Sequence, residues 1–205
     1  VDSRTGYGQS TPRAADERWA PDFMHRQAHE VLPALLQALQ VSEAPWLFGH
    51  SDGGSIALLY AARHACAGLM VLAPHIRVEN VSVSSIAVAK EAYENTDLRQ
   101  RLARYHSDVD SAFWGWNRIW LAPEFRDWSI DDELSTITCP VLAVQGVNDE
   151  YGTLAQIRDI KTHVPHTQLL ELAHCGHSPH RDQPQALTQA CVNFLQAQLS
   201  PTTQP

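Results

Sequence analysis

Two stretches of this chain are apolar at every position: Leu69-Met70-Val71-Leu72-Ala73 and Pro140-Val141-Leu142-Ala143-Val144. A strand with one face in water alternates apolar and polar residues, so an unbroken apolar run predicts a strand covered on both faces, as in parallel sheets. Trp46-Leu47-Phe48 and Leu169-Leu170-Glu171-Leu172 are shorter runs of the same kind. Helical stretches separate them, at about 22–39, 56–64, 153–163 and 185–199. In the first, Val31, Leu32, Leu35, Leu36 and Leu39 form one apolar stripe, and Pro33 predicts a kink or a restart. Strands alternating with helices predict an α/β fold with a mostly parallel sheet and right-handed crossovers.

One segment breaks the rhythm. From 76 to 137 no strong strand is visible, and the text is helical and aromatic, with Tyr93, Tyr105, Phe113, Trp114, Trp116, Trp120, Phe125 and Trp128. That is too long for a crossover connection and predicts an inserted helical lid. The expected organisation is a core of 1–75 and 138–200, a lid of 76–137, and a frayed tail at 201–205.

At 205 residues the chain suits one domain, or one domain with a lid. A net charge of -8 and a pI near 5.7 argue against a nucleic-acid binder and against docking on anionic lipid, so neither nucleic acid nor a membrane is expected as a partner. A local basic group could still receive an acidic substrate. No stretch approaches the roughly 18 apolar residues of a membrane helix, and no signal peptide is visible, so a cytoplasmic location is expected. The first residue is not methionine, however, so the natural start and any targeting segment are expected upstream. Cys66, Cys139, Cys175 and Cys191 are scattered, which predicts reduced, buried thiols rather than a disulfide framework or a zinc site.

Gly49-His50-Ser51-Asp52-Gly53 fits the pattern G-x-S-x-G, between a predicted strand and a predicted helix. A sharp turn there would hold Ser51 in a strained conformation with its hydroxyl clear of the sheet. The flanking positions must then be small, which Gly49, Gly53 and Gly54 supply. The following helix aims backbone N–H groups at the site, and the Asp52 amide is the expected oxyanion donor. A serine hydroxyl needs a base, and the base an orienting carboxylate. Asp149 follows the third predicted strand in Gly146-Val147-Asn148-Asp149-Glu150, with Glu150 as the rival acid; Asn-Asp after a glycine favours Asp149 on turn chemistry. The base belongs to His174-Cys175-Gly176-His177-Ser178-Pro179-His180. Gly176 and Pro179 make this a loop, and no carboxylate or cysteine set completes a metal site. His177, directly after a glycine, is the expected base, with His174 and His180 supporting. No metal and no cofactor is expected.

These three pieces, in this order, resemble the α/β-hydrolase superfamily, in the branch with a helical lid after the sixth strand. That branch holds carboxylesterases, proline iminopeptidases, carbon–carbon bond hydrolases and, with an aspartate nucleophile, haloalkane dehalogenases; Ser51 argues against the last. The loop Ser3-Arg4-Thr5-Gly6-Tyr7-Gly8-Gln9-Ser10 is similar to the family's D-x-R-G-x-G-x-S loop. It departs from that pattern: Thr5 and Ser3 stand in the arginine and aspartate places, and Asp2 and Arg4 each fall one place early. The resemblance implies an α/β-hydrolase fold in which the strands present are the fifth to eighth. It implies that the first three, with the loop giving the second oxyanion amide, precede Val1. The chain is then expected to be a fragment with a raw apolar edge on its fifth strand. Losing one oxyanion donor costs roughly 10²–10³ in rate, so such a fragment is expected to be weakly active, aggregation-prone or a homodimer through that edge.

The expected reaction is hydrolysis of a carboxylic ester or similar small acyl substrate through an acyl-serine, by Ser51, His177 and Asp149. Trp114, Trp116 and Trp120 are candidate contacts for an apolar substrate, or simply lid packing. Arg77, Arg118 and His75 are candidates for a substrate carboxylate. Carbon–carbon bond hydrolysis and proline removal use the same triad and stay open, as does a non-catalytic hydrolase fold that only binds a ligand.

Overall fold

The computed structural model describes residues 3–14 and 16–199. Asp2 and the expected tail at 201–205 lie outside the described residues. In chain order the elements are α1 (Phe23–Arg26), a π-helical turn (Gln27–Val31), α2 (Leu32–Ala38), β1 (Trp46–His50), α3 (Asp52–Arg63), β2 (Gly68–Leu72), α4 (Asn80–Asn95), α5 (Leu98–Leu102), α6 (Val109–Trp120), a short 3₁₀ turn (Pro123–Phe125), α7 (Asp131–Leu134), β3 (Val141–Gly146), α8 (Ala155–His163), β4 (Gln168–Leu172), α9 (Pro179–Asp182) and α10 (Pro184–Leu199).

The chain divides into two compact units, Val1–Phe23 with Val78–Trp128, and Met24–Arg77 with Ser129–Pro205. The second holds the sheet. Its four strands are all parallel and lie in sequence order, β1-β2-β3-β4. Met70, Leu72, Leu142 and Val144 pack on Leu187 and Phe194 of α10. The residues between them, Leu69, Val71, Val141 and Ala143, are fully buried as well. Helix α3 packs on β1 and β2, and α8 on β3 and β4. Both faces of the central strands are therefore covered, which accounts for their unbroken apolar runs. β1 is an edge strand, as the resemblance implies, and its Phe48 is 55% exposed.

The expected first helix starts and ends as the stripe predicts, but its break is of a different kind. The turn before Pro33 widens to π geometry, with the Leu32 amide donating to the Gln27 carbonyl. Proline cannot donate to the preceding turn, and a wide turn is one way a helix absorbs that loss.

The other unit is helical. Tyr93 of α4 stacks on Phe113 of α6, with Val109, Leu98 and Leu102 around them. The α6 N-terminus is capped by Asp108, whose carboxylate accepts from the Ser111 amide at 2.8 Å. Two boundaries differ from those read in the sequence. The opening loop groups with the helices, because the Ser107 amide donates to Gly8 and the Arg13 amide to the Ser111 hydroxyl. Residues 129–137 group with the sheet, because the Ile130 amide donates to Ile76 and Arg77 is paired with Asp131. Among the described residues, no helix is long and apolar enough to cross a membrane.

Candidate active site

Ser51, Asp149 and His177 follow the carboxyl ends of β1, β3 and β4 in the sheet-bearing unit, where open α/β sheets receive ligands. His50 at the end of β1 pairs with Leu72 of β2, and Gly146 of β3 with Leu172 of β4. Because Leu72 pairs with Val144, the ends of β3 and β4 stand two residues beyond those of β1 and β2.

Ser51 occupies the turn between β1 and α3 with φ 54° and ψ −126°. A non-glycine residue there costs of order 1–3 kcal/mol and is held only by its surroundings. Its amide donates to the Leu72 carbonyl at 2.9 Å, and its own carbonyl accepts from the Gly54 amide at 2.8 Å. The glycine requirement falls on two of the three expected positions. A Cβ on Gly49 would stand 2.3 Å from the Gly53 carbonyl oxygen, and one on Gly54 would stand 3.0 Å from Pro74. A Cβ on Gly53 would meet nothing within 4 Å, which corrects the expectation for that residue. Asp52 is buried and opens α3, and a helix's first amides have no acceptor within the helix.

The imidazole of His177 lies between the serine and the acid. Its Nε2 is 3.0 Å from Ser51 Oγ, and its Nδ1 is 2.9 and 3.1 Å from the two oxygens of Asp149. A carboxylate only accepts, so Nδ1 carries the proton and Nε2 is left to accept from the serine. The Asp149 side chain is 1% exposed. Burial is the largest influence on it and pushes its pKa up. The His177 hydrogen bond and charge, the Tyr151 amide and His75 outweigh that, so Asp149 sits below the ordinary carboxylate range. Glu150, the rival acid, faces elsewhere: it accepts from the His177 backbone amide at 3.2 Å. With the Asn148 amide donating to the Cys175 carbonyl at 2.9 Å, the acid loop and the histidine loop are tied together at three residues of the acid loop.

Two buried glutamines that carry no sequence signal support the site. Gln145 is fully buried in β3, and its amide donates to Asp149 Oδ2 (3.1 Å) and to the carbonyls of Gly152 (2.8 Å) and Thr153 (3.1 Å). Gln156 is equally buried, accepting from the Ile76 amide and donating to the Arg77 carbonyl. Gly146 permits the close approach of the histidine loop: a Cβ there would lie 2.1 Å from the Cys175 carbonyl oxygen and 2.3 Å from that of Gly176. His50, beside the serine, donates from Nε2 to the His177 carbonyl at 2.7 Å, and burial holds its pKa down to about 4. It is therefore neutral at pH 7.

The remaining candidates separate. Arg77 is spent on a two-pronged pair with Asp131 (2.9 and 2.7 Å) and a contact with Asp159 at 2.6 Å, so it is not a spare receptor for a substrate carboxylate. His75 is buried, its backbone latched to Ser55, and its ring lies 5.8 Å from that of His177. Within the helical unit Trp120 is 2% exposed against Phe125 and Trp128, Trp116 packs on Phe113, and Trp114 lines a cavity with Arg118. His174 is exposed, and His180 meets His50 edge-on. All four cysteines are free thiols. Among the described residues, no three His, Cys, Asp or Glu side chains come together to hold a metal ion.

Several solved structures share this architecture. A thermophilic esterase from Thermogutta terrifontis is similar over 96% of this chain and 78% of its own, with a TM-score of 0.68 and 20% identity. The esterase RhEst1 from Rhodococcus sp. ECU1013 is similar over 87% of this chain and 74% of its own, with a TM-score of 0.64 and 18% identity. MenH from S. aureus is similar over 95% and 82%, with a TM-score of 0.66 and 15% identity. At such identities the likeness establishes the fold. No curated protein sequence matches the chain significantly. The profile of the alpha/beta hydrolase family, by contrast, matches residues 3–190, which takes in the serine turn, the acid loop and the histidine loop. By that match and by its parallel sheet, the chain belongs to the alpha/beta hydrolase family.

Proposed function

We propose that the protein is a serine hydrolase that cleaves a carboxylic ester or a similar acyl compound through an acyl-serine. The observation that carries this reading is the unbroken hydrogen-bonded line from Ser51 Oγ through His177 to Asp149. His177 Nε2 takes the serine proton as Oγ attacks the carbonyl carbon, and Asp149 holds the ring and balances its charge. The negative charge on the carbonyl oxygen falls toward the Asp52 amide at the start of α3. His177 then returns the proton to the departing alcohol. Water enters by the same route in reverse, giving the acid and restoring Ser51. The fixed tautomer, the buried carboxylate and the strained serine turn all favour this use of the three residues, and two of the similar structures are described as esterases.

The test is hydrolysis of short p-nitrophenyl esters by the protein and by Ser51→Ala, with proline-naphthylamide and a dienoate substrate in parallel. Ester turnover that vanishes in the variant supports the reading. Turnover equal in both, or confined to the amide or the carbon–carbon substrate, overturns it.

A further inference from the structure

The helical unit contains a cavity of about 90 Å³, lined by Arg13, Arg18, Trp19, Trp114, Arg118 and Glu124 among others. At roughly 10–15 Å³ for a water, the space takes several waters or one small organic molecule. Three arginines against one glutamate give it a positive character, in a chain whose net charge is -8.

Arg13 is built into the wall rather than resting on it. It is 9% exposed. A Cβ on Gly6 would lie 3.0 Å from its side chain, and one on Gly115 would lie 2.7 Å from its guanidinium, so two glycines make the slot it fills. Its terminal nitrogens donate to the carbonyls of Glu17 (2.8 Å) and Ser111 (2.6 Å), and its Nε is buried with no acceptor. These are neutral acceptors, and among the described residues no carboxylate forms an ion pair with Arg13. Burial, and besides it the charges of Arg118 and Arg18, loosen its proton against the opposing pull of Tyr7 and Glu17. A buried cation without a direct ion-pair partner is costly, and an anion in the cavity would supply one. Trp19 also lines the cavity and has a buried indole N–H without an acceptor.

The shape of the lining narrows the anion. Arg13 lies 5.5 Å from the centre of the Trp19 ring and Arg118 lies 5.4 Å from that of Trp114. Guanidinium forks match the two oxygens of a carboxylate, and indole faces offer flat apolar area. We propose that this cavity is a binding site for a small organic carboxylate carrying a flat apolar group, with Arg13 and Arg118 as its charge partners and Trp19 and Trp114 as its walls.

The test uses the full chain and benzoate as probe, with benzamide and inorganic phosphate as controls, followed through the tryptophan indole signals in nitrogen–proton spectra. Saturable benzoate binding is expected to move the Trp19 and Trp114 signals. It is expected to weaken about tenfold in Arg118→Met and less in Arg118→Lys, which keeps the charge and loses the fork. Ser51→Ala is expected to bind benzoate unchanged, so failure of the serine-hydrolase reading would leave this site standing. Each variant's native signal dispersion reports that it is folded, and should Arg118→Met lose it, Arg118→Lys carries the comparison. Benzamide or phosphate binding as tightly as benzoate, shifts elsewhere than at these two indoles, full binding in a folded Arg118 variant, or loss of binding in Ser51→Ala would each overturn the proposal.

Discussion

Gly146→Ala places one methyl group between β3 and the histidine loop and should disable the site from a distance. The new Cβ would fall 2.1 Å from the Cys175 carbonyl oxygen and 2.3 Å from that of Gly176. Both obstacles are backbone, so no side chain can turn aside. Restoring even 3.0 Å, shorter than almost any real contact, requires the loop to retreat by 0.9 Å from the strand. His177 is the next residue, and its bonds to Ser51 and Asp149 are 3.0 and 2.9 Å. A retreat of that size leaves neither bond intact, and misplacement of about 1 Å costs on the order of 10²-fold in rate. The overpacking itself costs about 1–3 kcal/mol of stability. Gly53→Ala is the control: its Cβ meets nothing within 4 Å, and replacing a helical glycine by alanine contributes up to about 1 kcal/mol of stability. Ester hydrolysis measured as kcat/KM, with urea midpoints for both variants, decides the matter. A fully active, undestabilised Gly146→Ala would refute the reasoning that this glycine seats the histidine loop.

Three further outcomes are expected. Asp149→Asn keeps the shape of the acid but offers its amide to His177, favouring the wrong tautomer; kcat should fall about 10⁴-fold, and a loss under tenfold would contradict the role of Asp149. His50 takes up its proton at about pH 4 in the folded state against 6.5 in the unfolded chain, so the unfolded chain binds more protons between those values. Its contribution is complete above pH 6.5 and is lost as pH falls toward 4, by about 3 kcal/mol at most. His50→Gln, which keeps a donor for the His177 carbonyl, should flatten that part of the curve in urea titrations at pH 7 and 4.5, and an unchanged slope would count against it. Arg77→Met should cost about 1 kcal/mol, because its pairs with Asp131 and Asp159 are partly exposed; thermal melts at low and high salt should show the wild-type advantage shrinking with salt.

Much of the fold and of the site was legible in the residues because local signals and long-range geometry agree there. The unbroken apolar runs predict strands covered on two faces, and those strands lie at the centre of the sheet. The serine turn carries its own steric requirement in Gly49 and Gly54, and the acid and base loops follow strand ends. What was not legible depends on partners that the local residue pattern does not reveal. Gln145 and Gln156 read as ordinary polar residues until their buried amides are seen clamping the acid loop and the segment after β2. Glu150 looks like a second acid until its carboxylate is found on a backbone amide. Arg77 looks available until two aspartates from distant segments claim it. The opening loop gives no sign that Arg13 lies against Gly115, because that contact exists only once the chain has closed. The π-helical turn before Pro33 has no periodic signature of its own.

Ser51 is the residue on which the functional account rests, and covalent labelling addresses it directly. A fluorophosphonate probe applied to the protein and to Ser51→Ala, followed by digestion and mass spectrometry, reads the nucleophile without a known substrate. The account predicts one adduct, on Ser51, that is absent in the variant and slowed on Asp149→Asn. No adduct on the folded protein, or an adduct on another residue that persists in Ser51→Ala, would contradict it.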